Sequence, residues 1–303
     1  MSDELLQTLK GFIPSENILE NEEMSFHTTF RVGGPARYML IIETVDQLCK
    51  ILRYLNMVGR PYFLLGNGSN LLVSDKGYDG IIIKLSGEFS SVSVSGNTIN
   101  AGAAAILSQV SKCALDSSLK GMEFAAGIPG SVGGALVMNA GAYDGEMSQV
   151  VTSVTVVNPE GEVLTLDNET MEFGYRTSVI KGSRYVITGM TVRLEQGVQS
   201  EIKELMDDLN SRRRSKQPLE FPSAGSTFKR PEGNFAGKLI MDAGLRGFSI
   251  GGAKVSDKHC GFVINQGYAT AADIYDVIGQ VTETVKEKFG VTLEKEVILL
   301  GDF

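Results

Sequence analysis

The chain has 303 residues, 43% of them hydrophobic and 21% charged, which is the balance of an ordinary globular protein and excludes disorder as the main state. Its formal net charge of −8 makes general binding to nucleic acid or to anionic membranes unfavourable. No run approaches the ~18 consecutive apolar residues that a membrane-spanning helix needs.

The first part of the chain, residues 1–85, is predicted to form a block of mixed helices and strands. Apolar residues at helical spacing from Val45 to Leu55 predict a helix that ends near Gly59. The short apolar run 62–65 is predicted as a strand that leads into a glycine loop. The other predicted elements of this block are a helix within 1–20 and strands over 37–43 and 81–85.

Residues 86–198 are predicted to form a second mixed block that is rich in short strands. A helix is expected over 104–119, and a glycine-dense stretch follows at 127–145. Asn158-Pro159-Glu160-Gly161 has the composition of a β-turn, so the strands on either side should form a hairpin. The predicted strands are 92–94, 98–101, 151–157, 163–166 and 184–195.

Residues 199–303 form the predicted third block, which opens with a helix ending in the basic run 212–214. Thr270 and Asp273 have the spacing of a capping box and open a helix that Gly290 should end. The remaining predicted elements are a helix over 234–244 and strands over 262–264 and 296–300. The last strand is expected either to stay in this block or to join the first block. This uneven mixture of helices and strands predicts an α+β fold.

Several familiar chemistries lack their sequence signatures. The two histidines, His27 and His259, have no Cys or His at ligand spacing, so no metal site is expected. Neither a G-x-S-x-G elbow nor a G-x-G-x-x-G after a strand occurs, which argues against that type of serine hydrolase and against a Rossmann domain. Residues 233–239 are one residue short of a P-loop and lack the Ser or Thr after its lysine.

The cysteines and the start of the chain predict a compartment. The three cysteines, Cys49, Cys113 and Cys260, are odd in number and far apart, which fits buried thiols in a reducing environment. Met1-Ser2-Asp3-Glu4 lacks the basic and apolar stretches of a signal peptide. We therefore expect a cytoplasmic protein, and we expect it to be a monomer.

Two glycine loops are candidate ligand sites. Gly66-Asn67-Gly68-Ser69-Asn70-Leu71 follows an apolar strand, and successive amides in such a loop can hold a pyrophosphate. Gly127-Ile128-Pro129-Gly130-Ser131 precedes a helix whose N-terminus favours an anion, and the small residues at 133–135 allow a flat ligand to approach. For the first loop the alternative is a plain turn between strands, and for the second it is close packing of a helix on a sheet. The patterns alone do not decide between a ligand site and these alternatives.

Longer motifs carry a resemblance to a known family. In chain order they are His27-Thr28-Thr29-Phe30-Arg31, Gly121-Met122-Glu123-Phe124-Ala125-Ala126-Gly127-Ile128-Pro129-Gly130, Asn139-Ala140-Gly141-Ala142, Phe173-Gly174-Tyr175-Arg176-Thr177-Ser178, Lys216-Gln217-Pro218, Ala224-Gly225-Ser226-Thr227-Phe228-Lys229 and Leu293-Glu294-Lys295-Glu296-Val297. From about residue 21 to the C-terminus, the chain resembles the UDP-N-acetylenolpyruvoylglucosamine reductases.

The resemblance implies an FAD-binding fold of the vanillyl-alcohol-oxidase type. Two subdomains, 1–85 and 86–198, would hold non-covalent FAD, and a C-terminal α+β domain, 199–303, would bind a UDP-sugar. The implied reaction is reduction of UDP-N-acetylglucosamine enolpyruvate to UDP-N-acetylmuramate for peptidoglycan synthesis, with NADPH as hydride donor. Ser226 follows Arg176 by 50 positions, which resembles the shorter second type of the family, without a tyrosine-bearing loop.

Three residues match the catalytic positions of the family. Arg176 would stabilise negative charge on the substrate carboxylate, a task that suits a permanently charged guanidinium. Ser226 matches the proton donor, and Glu296, rather than Glu294, matches the carboxylate beside the substrate. A surface ion pair for the arginine and a helix or turn cap for the serine are the alternatives.

The resemblance also implies binding residues. Lys216, assisted by Arg212, would bind the diphosphate of the UDP-sugar, Tyr175 would contact the substrate, and Arg230 stands where the family often has asparagine. The residues expected to bind FAD are Arg31, Gly66, Asn67, Gly68, Ser69, Asn70, Leu71, Gly127, Ile128, Pro129, Gly130, Ser131, Gly133, Asn139 and Gly141.

Two other functions stay open at this point. The same fold would suit an FAD oxidase of a hydroxy acid or sugar, which would react with O2 and not with NADPH. A non-enzymatic sensor would bind a UDP-sugar without turnover. The intact set of Arg176, Ser226 and Glu296 favours the reductase. NADPH and substrate are expected to use one pocket in turn, since no second nucleotide motif is visible.

Overall fold

The computed structural model describes residues 2–303, so that Met1, the first residue of the predicted N-terminal segment, lies outside the described residues. Over this range the chain forms seven α-helices. They are α1 (Ser2–Lys10), α2 (Val45–Met57), α3 (Leu107–Asp116), α4 (Val132–Val137), α5 (Gln199–Lys216), α6 (Ala236–Asp242) and α7 (Ala271–Phe289). None of these described helices is long and apolar enough to cross a membrane.

Eighteen strands, most of them short, accompany the helices within residues 2–303. They are β1 (Ile18–Glu23), β2 (Pro35–Ile42), β3 (Tyr62–Leu65), β4 (Leu71–Val73), β5 (Tyr78–Leu85), β6 (Val92–Ser95), β7 (Thr98–Gly102), β8 (Leu119–Lys120), β9 (Gly141–Ala142), β10 (Gly145–Glu146), β11 (Val151–Val157), β12 (Val163–Asp167), β13 (Val186–Arg193), β14 (Glu195–Gln196), β15 (Ser249–Ile250), β16 (Ala253–Val255), β17 (Val263–Asn265) and β18 (Ile298–Leu300). The α+β class predicted from the sequence is confirmed.

Capping side chains explain where helix α7 begins and ends. The Thr270 hydroxyl accepts a hydrogen bond from the amide of Asp273, and the Asp273 carboxylate accepts one from the amide of Thr270. This reciprocal pair satisfies two amides that the first turn of a helix leaves without partners. Gly290 ends the helix at φ 69°, a left-handed conformation that glycine adopts without steric cost. Both predicted signals are confirmed.

Some predicted elements have different ends in the structure. The helix expected over 104–119 is the shorter α3, since Ser118 leaves the helical region at φ 56°. The hairpin around the turn 158–161 is present as β11 and β12, and the amide of Gly161 donates to the carbonyl oxygen of Asn158 at 3.0 Å. The last strand begins at Ile298 and not at residue 296.

The described residues divide into two compact units. The first takes in the described residues up to Glu20, Tyr38–Asn67 and Gly80–Ser211, and the second comprises Asn21–Arg37, Gly68–Asp79 and Arg212–Phe303. The finer division into 1–85, 86–198 and 199–303 stays a prediction.

The first unit contains an antiparallel sheet of strand order β12-β11-β13-β7-β6. Its buried face packs with α3 and α4 in a core that includes Leu107, Leu136 and Val154. Burial of such side chains contributes about 1.5–3 kcal/mol each to folding. A second core of this unit gathers Leu48 and Ile51 of α2.

Strands β3 and β5 position the candidate site in the first unit. They pair in parallel, with Leu65 opposite Lys84. The carboxyl ends of both strands therefore lie at one edge of their sheet, the edge at which open sheets with parallel strands bind ligands. The chain leaves this edge at Gly66 after β3 and at Ser86 after β5.

The second unit has a small antiparallel sheet of order β15-β16-β17. Helices α6 and α7 share a core with it that includes Ile240, Ile274 and Val281. The last strand, β18, pairs in parallel with β4, with Ile298 opposite Leu71. The C-terminal strand is thus paired with a strand from residues 68–79 of the same unit.

Candidate functional site

A cavity of about 330 Å³ opens in the first unit, within the range of sites that take small molecules. It lies at the carboxyl ends of β3 and β5 and reaches the start of α4 and of β13. Residues from both predicted glycine loops line it, together with a lysine; they are Gly66, Asn67, Lys84, Ser131, Gly133 and Gly134.

The two glycine loops meet at this cavity. A Cβ atom on Gly66 would lie 2.6 Å from the Ser131 hydroxyl oxygen, so a larger residue there would require this hydroxyl to move. The Asn67 side-chain amide donates to the carbonyl oxygen of Pro129. The loops therefore form one surface although 62 residues separate Asn67 from Pro129 in the chain.

The first amides of helix α4 already have protein acceptors. Val132 donates to the carbonyl oxygen of Ala105 at 2.9 Å. Gly133 donates to that of Ala103 at 2.8 Å. These two amides are therefore occupied, and the anion site predicted before this six-residue helix stays a prediction that depends on the amides of the preceding loop.

The loop amides are better placed to bind an anion. Within residues 2–303, no hydrogen bond occupies the backbone amides of Asn67, Gly130 and Ser131. Successive amides of this kind, beside glycines that leave space, bind phosphate groups. Together with Lys84, which also lines the cavity, these residues fit a flat cofactor that carries a diphosphate.

Arg176 lies at the tip of a tight turn in the first unit. Gly174 and Thr177 exchange two backbone hydrogen bonds, of 3.1 and 3.3 Å, which leaves Tyr175 and Arg176 as the two central residues. Arg176 has φ 55°, a left-handed conformation that costs a residue with a side chain about 1–2 kcal/mol. Its guanidinium carbon lies 5.4 Å from the centre of the Tyr175 ring.

Asn139 and Gly141 have clear structural roles in the first unit. The Asn139 side chain donates to the carbonyl oxygen of Gly174 at 3.2 Å and accepts from the amide of Ser148 at 2.9 Å. A Cβ atom on Gly141 would lie 2.7 Å from the carbonyl oxygen of Gly145, across the β9–β10 pair. The contacts that the sequence predicts between these two residues and the cofactor stay predictions. The same holds for the contacts predicted for Gly127 and Ile128.

Ser226 and Glu296 lie on adjacent segments of the second unit. The amide of Glu296 donates to the carbonyl oxygen of Thr227 at 2.9 Å, and Phe228 forms an antiparallel bridge with Lys295. Thr227 is fully buried. Because Thr227 follows Ser226 directly, this pairing brings the segments of two of the three predicted catalytic residues together.

Thr227 fixes this pair of segments to the rest of the second unit. Its amide donates to the carbonyl oxygen of Gly261 at 2.8 Å, and its hydroxyl accepts from the amide of Val263 at 3.0 Å. The amide of Gly261 in turn donates to Nδ1 of His259. Burial lowers the pKa of His259 from its usual 6.5, so that the ring is neutral at pH 7.

The structure favours Glu296 over its competitor. Glu294 has a side chain that is 71% exposed and pairs with Lys229, whereas Glu296 is half-buried. The side-chain amide of Asn70 donates to the carbonyl oxygen of Glu296 at 3.0 Å. This second link to Glu296 was not predicted from the sequence, which assigned Asn70 to the cofactor.

The remaining predicted cofactor residues lie in the second unit. Arg31 is exposed and has φ 57°. A Cβ atom on Gly68 would lie 1.9 Å from the carbonyl oxygen of His27, so only glycine fits there. Ser69 is half-buried, whereas Leu71 is buried and pairs with β18.

The end of helix α5 carries the predicted diphosphate ligands. Lys216 is its last residue, and Arg212 lies four residues earlier on the same face. The neighbouring side-chain oxygen of Gln217 is buried and has no hydrogen-bond partner among the described residues, a state that costs about 1–3 kcal/mol unless a ligand or water donates to it. Arg230 is exposed and stacks on Phe235, with 4.0 Å from its guanidinium carbon to the ring centre.

The structure describes the predicted catalytic residues in different units. Arg176 belongs to the first unit, whereas Ser226 and Glu296 belong to the second. The meeting of all three at one site stays a prediction. Within residues 2–303 no group of three or more His, Cys, Asp or Glu side chains is arranged to hold a metal ion.

Comparison with known proteins identifies the parts of the chain. Residues 36–167 match a family model described as an FAD binding domain. Residues 217–300 match the C-terminal domain of UDP-N-acetylenolpyruvoylglucosamine reductase.

Full-length relatives agree with these matches. The chain is 51% identical over 298 residues to the UDP-N-acetylenolpyruvoylglucosamine reductase of Clostridium perfringens, covering 98% of both chains. It is 48% identical to that of Lachnoclostridium phytofermentans, over 100% of this chain and 99% of the relative. The crystal structure of the enzyme from Thermus caldophilus has a TM-score of 0.81 and 34% identity, covering 92% of this chain and 97% of that one.

These findings confirm the predicted vanillyl-alcohol-oxidase-type FAD-binding fold with a C-terminal domain. They also show a flavin-dependent oxidoreductase. The chain belongs to the UDP-N-acetylenolpyruvoylglucosamine reductase family.

Proposed function

We propose that the protein reduces UDP-N-acetylglucosamine enolpyruvate to UDP-N-acetylmuramate in the bacterial cytoplasm, with NADPH as the hydride donor. The observation that carries this proposal is the 51% identity to a reductase of that family across 98% of both chains. The product would enter peptidoglycan precursor synthesis.

FAD is the cofactor that the cavity of the first unit would hold. When bound, FAD would supply the hydride-transfer chemistry that links NADPH to the methylene carbon of the substrate. The backbone amides of Asn67, Gly130 and Ser131 would donate to its diphosphate, and Lys84 would balance part of the charge. Gly66 supports this role because, without a side chain, it leaves the space beside the Ser131 hydroxyl open.

Arg176 would stabilise the charge that follows hydride addition. As the methylene carbon gains hydride, the carbon–carbon double bond breaks and negative charge spreads over the adjacent carbon and its carboxylate. A guanidinium group that meets this carboxylate with two hydrogen bonds lowers the energy of that state. The left-handed conformation of Arg176 supports the role, because strained positions cluster at functional sites.

Ser226 would give the proton that completes the reaction. Its hydroxyl would donate to the carbon beside the carboxylate, while Glu296 would orient the substrate or assist this transfer. The buried, triply hydrogen-bonded Thr227 supports the proposal, since it holds the Ser226 and Glu296 segments in a fixed arrangement. Fixed geometry is what proton transfer to carbon requires.

Five further side chains would bind the UDP-sugar. Lys216 and Arg212 would meet its diphosphate from one face of α5, and the buried oxygen of Gln217 offers an acceptor beside them. Arg230 is a second candidate for the diphosphate. Tyr175, which is 58% exposed, would contact the substrate next to Arg176.

An anaerobic titration followed by flavin absorbance tests the function. We expect NADPH to bleach the bound flavin and the enolpyruvyl sugar nucleotide to restore the colour in equal amount. Oxidation of the reduced flavin by O2, with no reaction of NADPH, would instead indicate an oxidase. Binding of the sugar nucleotide without any flavin reoxidation would indicate a sensor, and either result would overturn the proposal.

Ser226→Ala tests whether this serine acts in the reduction of the substrate and not in the reduction of the flavin. The variant should retain flavin reduction by NADPH within about two-fold but lose product formation by about 100-fold or more, as expected when a general acid is removed. Ser223→Ala, three residues earlier on the same segment, is the matched control and should keep both rates. Loss of flavin reduction in Ser226→Ala would show that the serine has another role.

A further inference from the structure

The turn that carries Arg176 depends on residues outside its own sequence. Tyr175 and Arg176 occupy the centre of a two-residue turn, and Arg176 is left-handed at φ 55°, a position at which glycine is usual. A turn with a bulky residue in this conformation persists only if its surroundings hold it.

Asn139 supplies the buried support of this turn. Its side chain is 2% exposed, and its amide nitrogen donates to the carbonyl oxygen of Gly174, the first residue of the turn, at 3.2 Å. Its oxygen accepts from the amide of Ser148 at 2.9 Å. Both polar atoms of Asn139 are therefore used within the first unit, in one orientation.

Two more hydrogen bonds tie the same turn. The Ser178 hydroxyl donates to the carbonyl oxygen of Val137, the last residue of α4, at 3.1 Å. The Lys181 ammonium group donates to the carbonyl oxygen of Arg176 at 3.0 Å. Lys181 is exposed, so its contribution is smaller than that of the buried asparagine.

Helix α4 thus connects the cavity to the turn. Its N-cap, Ser131, lines the cavity, and its C-terminal end holds the turn through Val137 and Asn139. Six helical residues span about 9 Å. Val137 also lines the cavity, so the helix that forms part of the cavity wall also holds the turn of Arg176.

We propose that Asn139 is a positioning residue that holds Arg176 in place for the reaction, and that it does not contact the cofactor. This inference rests on the proposed role of Arg176. It replaces the sequence-based assignment of Asn139 to FAD, because Asn139 is 2% exposed and its side chain bonds to Gly174 and Ser148.

Asn139→Asp is the sharpest test, because it changes one atom. Aspartate tolerates the left-handed φ of 41° at this position and keeps an acceptor for Ser148, but it places an oxygen against the carbonyl oxygen of Gly174. We expect kcat to fall by about 10- to 100-fold, the effect of a small misplacement of a catalytic group. Flavin reduction by NADPH and the Kd for FAD should each stay within about two-fold.

A second readout does not need the reaction. Trypsin cleaves after arginine, and a turn released from Asn139 should be cut at Arg176 at least about 10-fold faster, because local opening exposes the bond. Mass spectrometry identifies that cut. Faster cleavage in a protein whose wild type reduces no enolpyruvyl sugar would show that Asn139 holds the turn although the proposed function fails.

Asn158→Ala is the matched control in the same unit. Asn158 is also buried, and its side chain also bonds at both ends, to Glu162. This variant should lose thermal stability without a change in kcat or in cleavage at Arg176. A weaker Kd for FAD in Asn139→Asp with an unchanged kcat would show that Asn139 contacts the cofactor. Equal losses of kcat in both variants would show that Asn139 has only a structural role. Either result would overturn the proposal.

Discussion

At the scale of single residues, Lys84 brings a positive charge to the lining of the cavity in the first unit. Among the described residues that line this cavity, Lys84 alone carries a formal charge. It is the penultimate residue of β5 and lies opposite Leu65, beside the loop whose glycine approaches Ser131. A cationic group at this point would attract a negatively charged diphosphate, and this attraction is stronger where water is partly excluded.

Lys84→Met should therefore weaken FAD binding. We expect the Kd of the apoprotein for FAD to rise about 10-fold, equivalent to about 1.4 kcal/mol, and to depend less on salt than in the wild type. Titration by quenching of flavin fluorescence at two salt concentrations measures both effects. Lys50→Met, which removes an exposed lysine of α2 paired with Asp46, is the control. An unchanged Kd in Lys84→Met would remove the lysine from the cofactor site.

Residue types and motifs predicted the chemistry better than they predicted individual contacts. Gly66 and Ser131 were expected at one ligand site, and the structure brings them together. Asn70 and Asn139 were expected at the cofactor, but their amides bond to the carbonyl oxygens of Glu296 and Gly174. A motif does not reveal such partners, because they lie 226 and 35 positions away and only the fold brings them near.

At the scale of elements, helix α7 shows how local signals stabilise the second unit. Its N-terminal capping box joins Thr270 and Asp273, and the Asp273 carboxylate also accepts from the amide of Gly252. The hydrogen bond from the Thr270 amide holds the pKa of Asp273 below its usual 3.8. A carboxyl group with a lowered pKa in the folded state stabilises the protein above its unfolded-state pKa.

Asp273→Asn should therefore destabilise the protein in a pH-dependent way. At pH 7 we expect a loss of about 1 kcal/mol in the free energy of unfolding, typical of a lost cap. The difference from the wild type should shrink as the pH falls below about 4, since Asp273 then takes up a proton. Urea denaturation of the FAD-bound protein at pH 7 and near pH 3.5 measures it, with Asp276→Asn on the same helix as control. A difference that stays constant with pH would show that the charge contributes nothing.

Helix α4 shows which part of an element could be predicted from the sequence and which could not. Ser131 was predicted to begin a helix, and it is the N-cap. The amides of Val132 and Gly133 pair with Ala105 and Ala103, so an anion at that end would depend on the loop amides before the helix. Sequence spacing identifies a helix start, but it does not show which strand-end carbonyl groups the fold brings to its first turn.

At the scale of the whole molecule, two units with separate cores hold the functional residues. The first contains the cavity and Arg176, and the second contains Ser226 and Glu296. The three-block division from the sequence followed composition breaks, which do not reveal that residues 21–37 and 68–79 group with the C-terminal part of the chain. Their grouping depends on long-range contacts such as the pairing of β4 with β18.

Removal of FAD should speed up hydrogen exchange at the loop amides but not at the first amides of helix α4. The amides of Asn67, Gly130 and Ser131 have no partner within the described residues and should exchange at least about 10-fold more slowly once the cofactor binds. Those of Val132 and Gly133, already bonded to backbone carbonyl groups, should be protected with or without FAD. Hydrogen exchange at single-residue resolution on the full chain tests this, with the amides inside α7 as an internal reference. If Val132 and Gly133 gained protection while the loop amides did not, the cofactor would be bound by the helix end and the loop assignment would be wrong.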